Sequence, residues 1–245
     1  MSKTNSLQKQ LSDLAATLGI DYFGVADLAV AKDFIRSQGG DAVARFPLVI
    51  SIGIRLVDGV VDELTRHEDP TVIFTYRSLY NTVNTSLDRA TLCIAKAIQE
   101  QGFKAYPIAA AQRISNEKLA GAFSHKLAAH LAGLGWIGKN CLLITPDHGP
   151  RVRWSTILTD APLETIGVPL AEQCGKCDQC VKICPVQAFT GAAFKDSEPR
   201  EARYNAHLCA QYIDKRQSII GDGICGLCVN TCPYGKQKKT LARQQ

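Results

Sequence analysis

No stretch of this 245-residue chain approaches the roughly 20 consecutive apolar residues that a membrane-spanning helix requires. An apolar leader is missing as well, since the chain opens MSKTNSLQKQ. That points to a reducing, cytoplasmic compartment, where a disulfide framework is a poor account of ten cysteines. The Gly-x4-Gly-Lys-Ser/Thr loop that cradles nucleotide phosphates does not occur. Charge of one sign is also scarce. The formal balance is only +5, with 21% charged and 46% hydrophobic residues, the composition of a globular protein with a real core. A short basic tail at Lys236, Lys238 and Lys239 reads as a solvated terminus rather than a nucleic-acid grip.

Cysteine, by contrast, is abundant and localised: eight of the ten lie between positions 174 and 232. The first run is Cys174-x2-Cys177-x2-Cys180-x3-Cys184 followed by Pro185. The second is Cys225-x2-Cys228-x3-Cys232 followed by Pro233, with Cys209 upstream. Three cysteines at a strict three-residue step, then a fourth and a proline, do not suit a single tetrahedral zinc ion. They match the bacterial ferredoxin run, in which three cysteines hold one [4Fe–4S] cube and the fourth reaches to the other. The spacing therefore predicts two metal sites. Cys174, Cys177, Cys180 and Cys232 would hold one cube, and Cys184, Cys209, Cys225 and Cys228 the second. All eight are used, and the expected role is electron movement. Two such cubes add roughly −4, which leaves the loaded protein near neutral and weakens any argument for nucleic acid.

Upstream, helical and strand patterns mix. Leu7, Leu11, Leu14 and Leu18 predict an opening helix that stops at Gly19. Strands are predicted at Asp21–Asp27, at Pro47–Val57 as a buried central strand, and at Lys104–Ala110. A long helix is predicted over 77–101, headed by Tyr76 and Arg77, and a short one over Ser124–Leu134 with Ser124 as its cap. Cys141–Thr145 and Val152–Thr159 read as two strands joined by the turn Pro146-Asp147-His148-Gly149-Pro150. From 169 onward cysteine spacing replaces apolar periodicity. The predicted domains are accordingly 1–168, an α+β unit for a cofactor or substrate, and 169–245, the cluster unit. A first domain this large is more than electron transfer alone requires.

Between them lies Ala132-Gly133-Leu134-Gly135-Trp136-Ile137-Gly138-Lys139-Asn140. Its glycines permit tight turns or close approach to a ligand, and Lys139 and Asn140 offer a cation and an amide. The segment AGLGWIGKN, then LLITPDHGPRVRWSTILTD, then the paired cysteine runs, resembles the epoxyqueuosine reductase family, from about Gly121 to Gly235. The resemblance implies a nitroreductase-like, corrinoid-binding α+β domain followed by a ferredoxin-like two-[4Fe–4S] module. It implies cobalamin as the favoured further cofactor, with the flavin FMN as the alternative; the chain carries no Asp-x-His-x2-Gly run to ligate cobalt, nor does that family use one. Gly133, Gly135, Trp136, Gly138, Lys139 and Asn140 would be the cofactor-binding residues. A low-potential donor such as ferredoxin or flavodoxin would supply electrons.

Two departures from that family bear on substrate. Its epoxyqueuosine-reducing members carry an acidic residue in a Val-Asp-Thr/Ser-type segment before AGLGWIGKN. Here the corresponding stretch is Pro107-Ile108-Ala109-Ala110-Ala111-Gln112, without a carboxylate to act as general acid. The family also continues past the clusters into a helical segment that helps hold tRNA, whereas this sequence ends at Gln245. The expected partner is therefore a small-molecule substrate or a redox protein rather than tRNA. His125, Lys126 and Tyr76 are the candidate catalytic proton donors, and Cys141, beside the glycine loop, is a further thiol. The leading expectation is an iron–sulfur reductase feeding a cofactor in the first domain. The alternative, from another class, is a non-catalytic electron carrier or reductive activator of a corrinoid or redox partner.

Overall fold

Apolar spacing sets the first element, as expected: Leu7, Leu11 and Ala15 are buried along α1 (Lys3–Thr17), and Gly19 follows at φ +78°. The computed structural model describes residues 3–221 and 223–236; Lys238 and Lys239 lie outside the described residues. The chain continues through β1 (Tyr22–Asp27), α2 (Lys32–Gly39), α3 (Asp41–Ala44), β2 (Leu48–Arg55), α4 (Asp58–Asp62) and α5 (Pro70–Glu100). Then come β3 (Ala105–Ile108), α6 (His125–Leu131), β4 (Trp136–Ile137), β5 (Leu143–Ile144) and β6 (Val152–Thr159). The cysteine region adds α7 (Gln179–Lys182), α8 (Ala206–Ile220) and α9 (Leu227–Asn230). No helix among the described residues is long and apolar enough to cross a membrane.

Four strands form one sheet in the order β1-β2-β6-β3. β1 and β2 run antiparallel, with Tyr22 opposite Gly53 and Asp27 opposite Leu48. β3 and β6 do the same, with Ala105 opposite Thr159. The β-branched run of β2 takes an inner position, and residues 49–53 are all buried, as a central strand requires. Leu28, Ile35, Val43, Phe46, Val49 and Leu158 belong to one core with Phe123 and Ala128.

Two expectations need correction. The long helix starts at Pro70, well before Tyr76. Asp69 accepts the Thr71 N–H at 2.8 Å, and proline at the first helical position forgoes no bond there, so Asp69-Pro70 is the true start signal. The two strands around Pro146–Pro150 do not form a hairpin. Only Leu143–Ile144 is strand, and it pairs with β4, whereas β6 lies in the four-stranded sheet. The turn closes on itself, through paired Thr145 and Gly149 backbone bonds of 2.9 and 3.0 Å.

The chain divides into two compact units, each assembled from separated segments. The first takes the chain through Ile54, then Val83–Leu134 and Arg153–Leu170. The second takes Arg55–Thr82, Gly135–Val152 and the chain from Ala171 onward. The sequence boundary at 168/169 thus sits beside the last crossing, but two upstream segments also belong with the cysteines. The second unit is bolted by polar groups rather than by a large sheet. Arg151, 1% exposed, pairs with Asp58 at 3.0 Å and Asp62 at 2.8 Å. Asn230, also buried, donates to the Val61 carbonyl at 2.7 Å. Arg216 reaches Glu68 at 2.9 Å and the His67 carbonyl.

Candidate metal centre

Cys174, Cys177, Cys180 and Cys232 line one cavity of the second unit, together with Lys139, Asn140, Ile144, Gln179, Pro233 and Tyr234. Its volume is about 350 Å³, the open solvent at its mouth included. Among the described residues, no three His, Cys, Asp or Glu side chains converge tightly enough to hold a single ion. Four thiols lining one cavity supply the number of ligands that a [4Fe–4S] cube takes. They also oppose one another's ionisation. Burial pushes Cys180 up to about 11, and the neighbouring Cys174, Cys232 and Cys177 add to it. Burial likewise raises Cys232 to about 11, while the Tyr234 and Gly235 backbone N–H groups favour its thiolate. Four such thiols need a metal charge among them to become thiolates together.

The remaining four form a second set. Burial raises Cys228 well above a normal thiol, and the cysteines that add most are Cys225 and Cys209, ahead of Cys180 and Cys184. For Cys225, burial is again the largest cause, and its cysteine neighbours are Cys209 and Cys184. Ala188 N–H donates to the Cys184 sulfur at 3.3 Å. Asn205 caps α8 by accepting from Leu208 N–H at 3.0 Å, and so sets the helix turn that presents Cys209.

The glycine loop lies against these thiols, and its groups are taken by protein. A Cβ on Gly135 would stand 2.3 Å from the Ile144 carbonyl oxygen, and one on Gly138 2.7 Å from the Ile144 side chain. The glycines therefore serve the close β4–β5 approach rather than a ligand. Lys139 donates its ammonium to the Gly175 and Cys177 carbonyls at 2.7 and 3.1 Å. Asn140 accepts from Leu142 N–H and donates to the Cys228 carbonyl at 3.3 Å. Lys139 thus ties down a turn of the first thiol set, and Asn140 one of the second. Trp136 is 1% exposed, packs edge-on against Tyr234 with centroids 4.8 Å apart, and leaves its Nε1 without a hydrogen-bond partner. Gly133 belongs to the first unit, where a Cβ would meet the Val168 backbone at 2.8 Å. The six residues expected to hold a corrin or flavin are thus engaged with the protein itself, five of them inside the cluster unit.

The candidate proton donors belong to different units, His125 and Lys126 to the first and Tyr76 to the second. His125 heads α6 in the first unit, with ring nitrogens 2.7 Å from Thr156 Oγ1 and 3.0 Å from the Ala109 carbonyl oxygen. Burial lowers its pKa to about 4, against the Ala109 bond, which raises it, and with Arg153 lowering it further. Burial thus favours the neutral form of His125 near pH 7, and its bonds tie α6 to β6 and to the segment after β3. Ser124 holds the cap position with no side-chain capping bond. Lys126 is half-buried in the next position of α6. Tyr76, 4% exposed, belongs to the second unit and packs against Gly226, where a Cβ would come within 2.6 Å of its ring. Its position is that of a wall behind the Cys225–Cys228 turn.

Sequence reading missed the buried cations. Arg203, 3% exposed, stands 4.7 Å over the Phe194 ring and directs Nη1 at the Cys141 sulfur, 3.8 Å away. Cys141 itself is buried in a left-handed conformation, φ 55°. Tyr204, stacked on Phe189 at 5.2 Å, is raised chiefly by burial and then by Cys209. An arginine or tyrosine carries no periodic signal, so only the fold reveals these neighbours.

Comparison with known proteins agrees with this geometry. Residues 173–235 match the family described as a 4Fe-4S double cluster binding domain. Epoxyqueuosine reductase of Listeria monocytogenes is 32% identical over 126 residues, covering 47% of this chain and 31% of that protein. Epoxyqueuosine reductase of Gloeobacter violaceus is 33% identical over 135 residues, covering 50% of this chain and 39% of its own length. The chain therefore spans about a third of the curated relatives it matches. Among solved structures, an epoxyqueuosine reductase bound to a modified tRNA-Tyr stem loop superposes with TM-score 0.63 at 17% identity, over 96% of this chain and 67% of that one. A reductive dehalogenase described with a B12-dependent mechanism superposes with TM-score 0.68 at 16% identity, over 94% of this chain and 32% of that one. Fold and thiols together define an iron–sulfur redox protein: an α+β fold like that of the epoxyqueuosine reductase and reductive dehalogenase structures, with a double 4Fe-4S cluster binding module. Within that class the chain is similar to the epoxyqueuosine reductases over about half of its length.

Proposed function

We propose that this protein is an iron–sulfur reductase acting on an epoxyqueuosine-type substrate in tRNA, its clusters passing electrons one at a time to cobalamin until the two that the reduction needs have been delivered. The observation that carries the reading is that Cys174, Cys177, Cys180 and Cys232 line one cavity while one loop tethers the cysteine segments, Lys139 on the Gly175 and Cys177 carbonyls and Asn140 on that of Cys228. The clusters, when bound, supply single electrons at low potential; a ferredoxin or flavodoxin would replenish them. Cys174, Cys177, Cys180 and Cys232 would hold one, Cys184, Cys209, Cys225 and Cys228 the other. Lys139 and Asn140 keep the two loops in place, and Arg203 and Arg216 provide buried positive charge in the same unit. Cobalamin rests on likeness to a reductive dehalogenase described with a B12-dependent mechanism, and tRNA on likeness to the tRNA-bound reductase; neither rests on a pocket residue. This substrate choice reverses the sequence expectation, which set tRNA aside for want of an acid near Ala109 and of a tRNA-holding helical segment after the clusters.

A second reading, an electron carrier or reductive activator, is favoured by one observation. The Ala109–Ala111 segment has no carboxylate, and His125 beside it is neutral and fully engaged. Electron delivery needs no proton donor. Anaerobic purification with cofactor extraction, paired with restoration of queuosine in a reductase-deficient strain, tests both. About one corrinoid per chain and restored queuosine support the tRNA reductase. Clusters without corrinoid and no queuosine overturn it in favour of the carrier.

A further inference from the structure

The indole N–H of Trp136 is a buried donor without a partner beside the first thiol set. Trp136 pairs across the β4–β5 ladder with Ile144 and meets the Tyr234 ring, and both of those residues line the cavity holding Cys174, Cys177, Cys180 and Cys232. Its Nε1 is shut off from water and finds no acceptor in good geometry among the protein atoms. A neutral thiol is a weak acceptor, whereas a metal-bound thiolate carries charge and accepts strongly.

We propose that Trp136 Nε1–H donates a hydrogen bond to the sulfur side of the first cluster and so raises that cluster's reduction potential selectively. The inference rests on the two-cluster reading above. Reduction adds one electron, and the extra negative charge spreads onto the sulfurs. A donor aimed at them strengthens on reduction and stabilises the reduced state. Trp136 is a positioning and tuning residue; it touches no substrate.

The test is an EPR-monitored redox titration of the anaerobically reconstituted full chain, with Cys180→Ser and Cys184→Ser assigning each signal to its cluster. Trp136→Phe keeps a ring and removes the N–H. The expected result is a tenfold loss of reduced over oxidised first cluster at a given potential, a fall of about 59 mV for one electron, with the second cluster unmoved. An unmoved or raised midpoint, or an equal shift of both clusters, overturns the proposal. Where Trp136→Phe fails to load, benzothienylalanine at the same position decides, since it replaces N–H by sulfur within nearly the same outline: a lowered midpoint supports the hydrogen bond, an unmoved one refutes it. Iron in the unaltered protein well below about eight per chain overturns the two-cluster reading and this proposal with it. Full loading with an unmoved midpoint overturns the proposal alone.

Discussion

Protonation of His125 works against folding, and the sign follows from its burial. With a folded pKa of about 4 and an ordinary value of 6.5, the unfolded chain binds the proton first as pH falls. The stability contributed is fully present above pH 6.5 and drains away as pH drops towards 4, at about 1.4 kcal/mol per unit. Between pH 6.5 and 5 that amounts to about 2 kcal/mol. Urea midpoints at pH 7 and 5 should therefore separate more in the native protein than in His125→Gln; identical separations would place the acid sensitivity elsewhere. Lys139 makes a second prediction at this scale. Its ammonium is committed to two carbonyls of the Cys174–Cys177 turn. Charge-assisted bonds of this kind contribute roughly 1.5–3 kcal/mol each. Lys139→Met should lower iron retention in the first cluster and spare the second, read by cluster-resolved EPR after chelator challenge. Equal loss from both clusters would refute a local anchor.

The short helices around the cysteines depend on groups contributed by distant elements. Asn230, at the end of α9, spans to the carbonyls of Val61 and Asp62 on α4 at 2.7 and 3.3 Å. Asn230→Ala leaves those acceptors with one donor fewer and should cost about 1–3 kcal/mol, seen as a lower melting temperature with iron content near normal at low temperature. An unchanged melting temperature would mean that the α4–α9 contact carries no stability. Elements with strong periodicity were legible beforehand: α1 from its leucines, β2 from its β-branched run, the body of α5 from its apolar stripe. The start of α5 was misplaced because Asp69-Pro70 signals by capping chemistry, which apolar spacing does not register. The β4–β5 pair was misread because two-residue strands have no alternation to detect. At the site, the eight cysteines were legible because iron ligation demands a rigid spacing. The glycine loop was legible as special but not in its task. Whether a lysine meets a ligand or the carbonyls of Gly175 and Cys177 depends on chain segments 36 and 38 residues away.

For the molecule as a whole, the grouping of thiols makes a prediction that no single residue does. Cys180→Ser and Cys184→Ser lie four positions apart, yet each should damage a different cube. Iron analysis with EPR showing the same cluster lost in both variants would dismantle the crossed ligation. The division into units has a related consequence for any fragment. A piece cut at residue 169 would leave behind Asp58, Asp62, Lys139, Asn140 and Arg151, all of which belong to the second unit. It should load iron less well than the full chain under identical reconstitution; equal loading would show those anchors to be dispensable. The same interleaving sets an order in time. A ribosome releases the anchoring carboxylates, lysine, amide and arginine before it makes Cys174, the first cysteine of the sets. With the thiols grouped as proposed, neither cube has its four ligands until Cys228 and Cys232 emerge, so metal can only be locked in once those two residues are made, onto anchors synthesised before them.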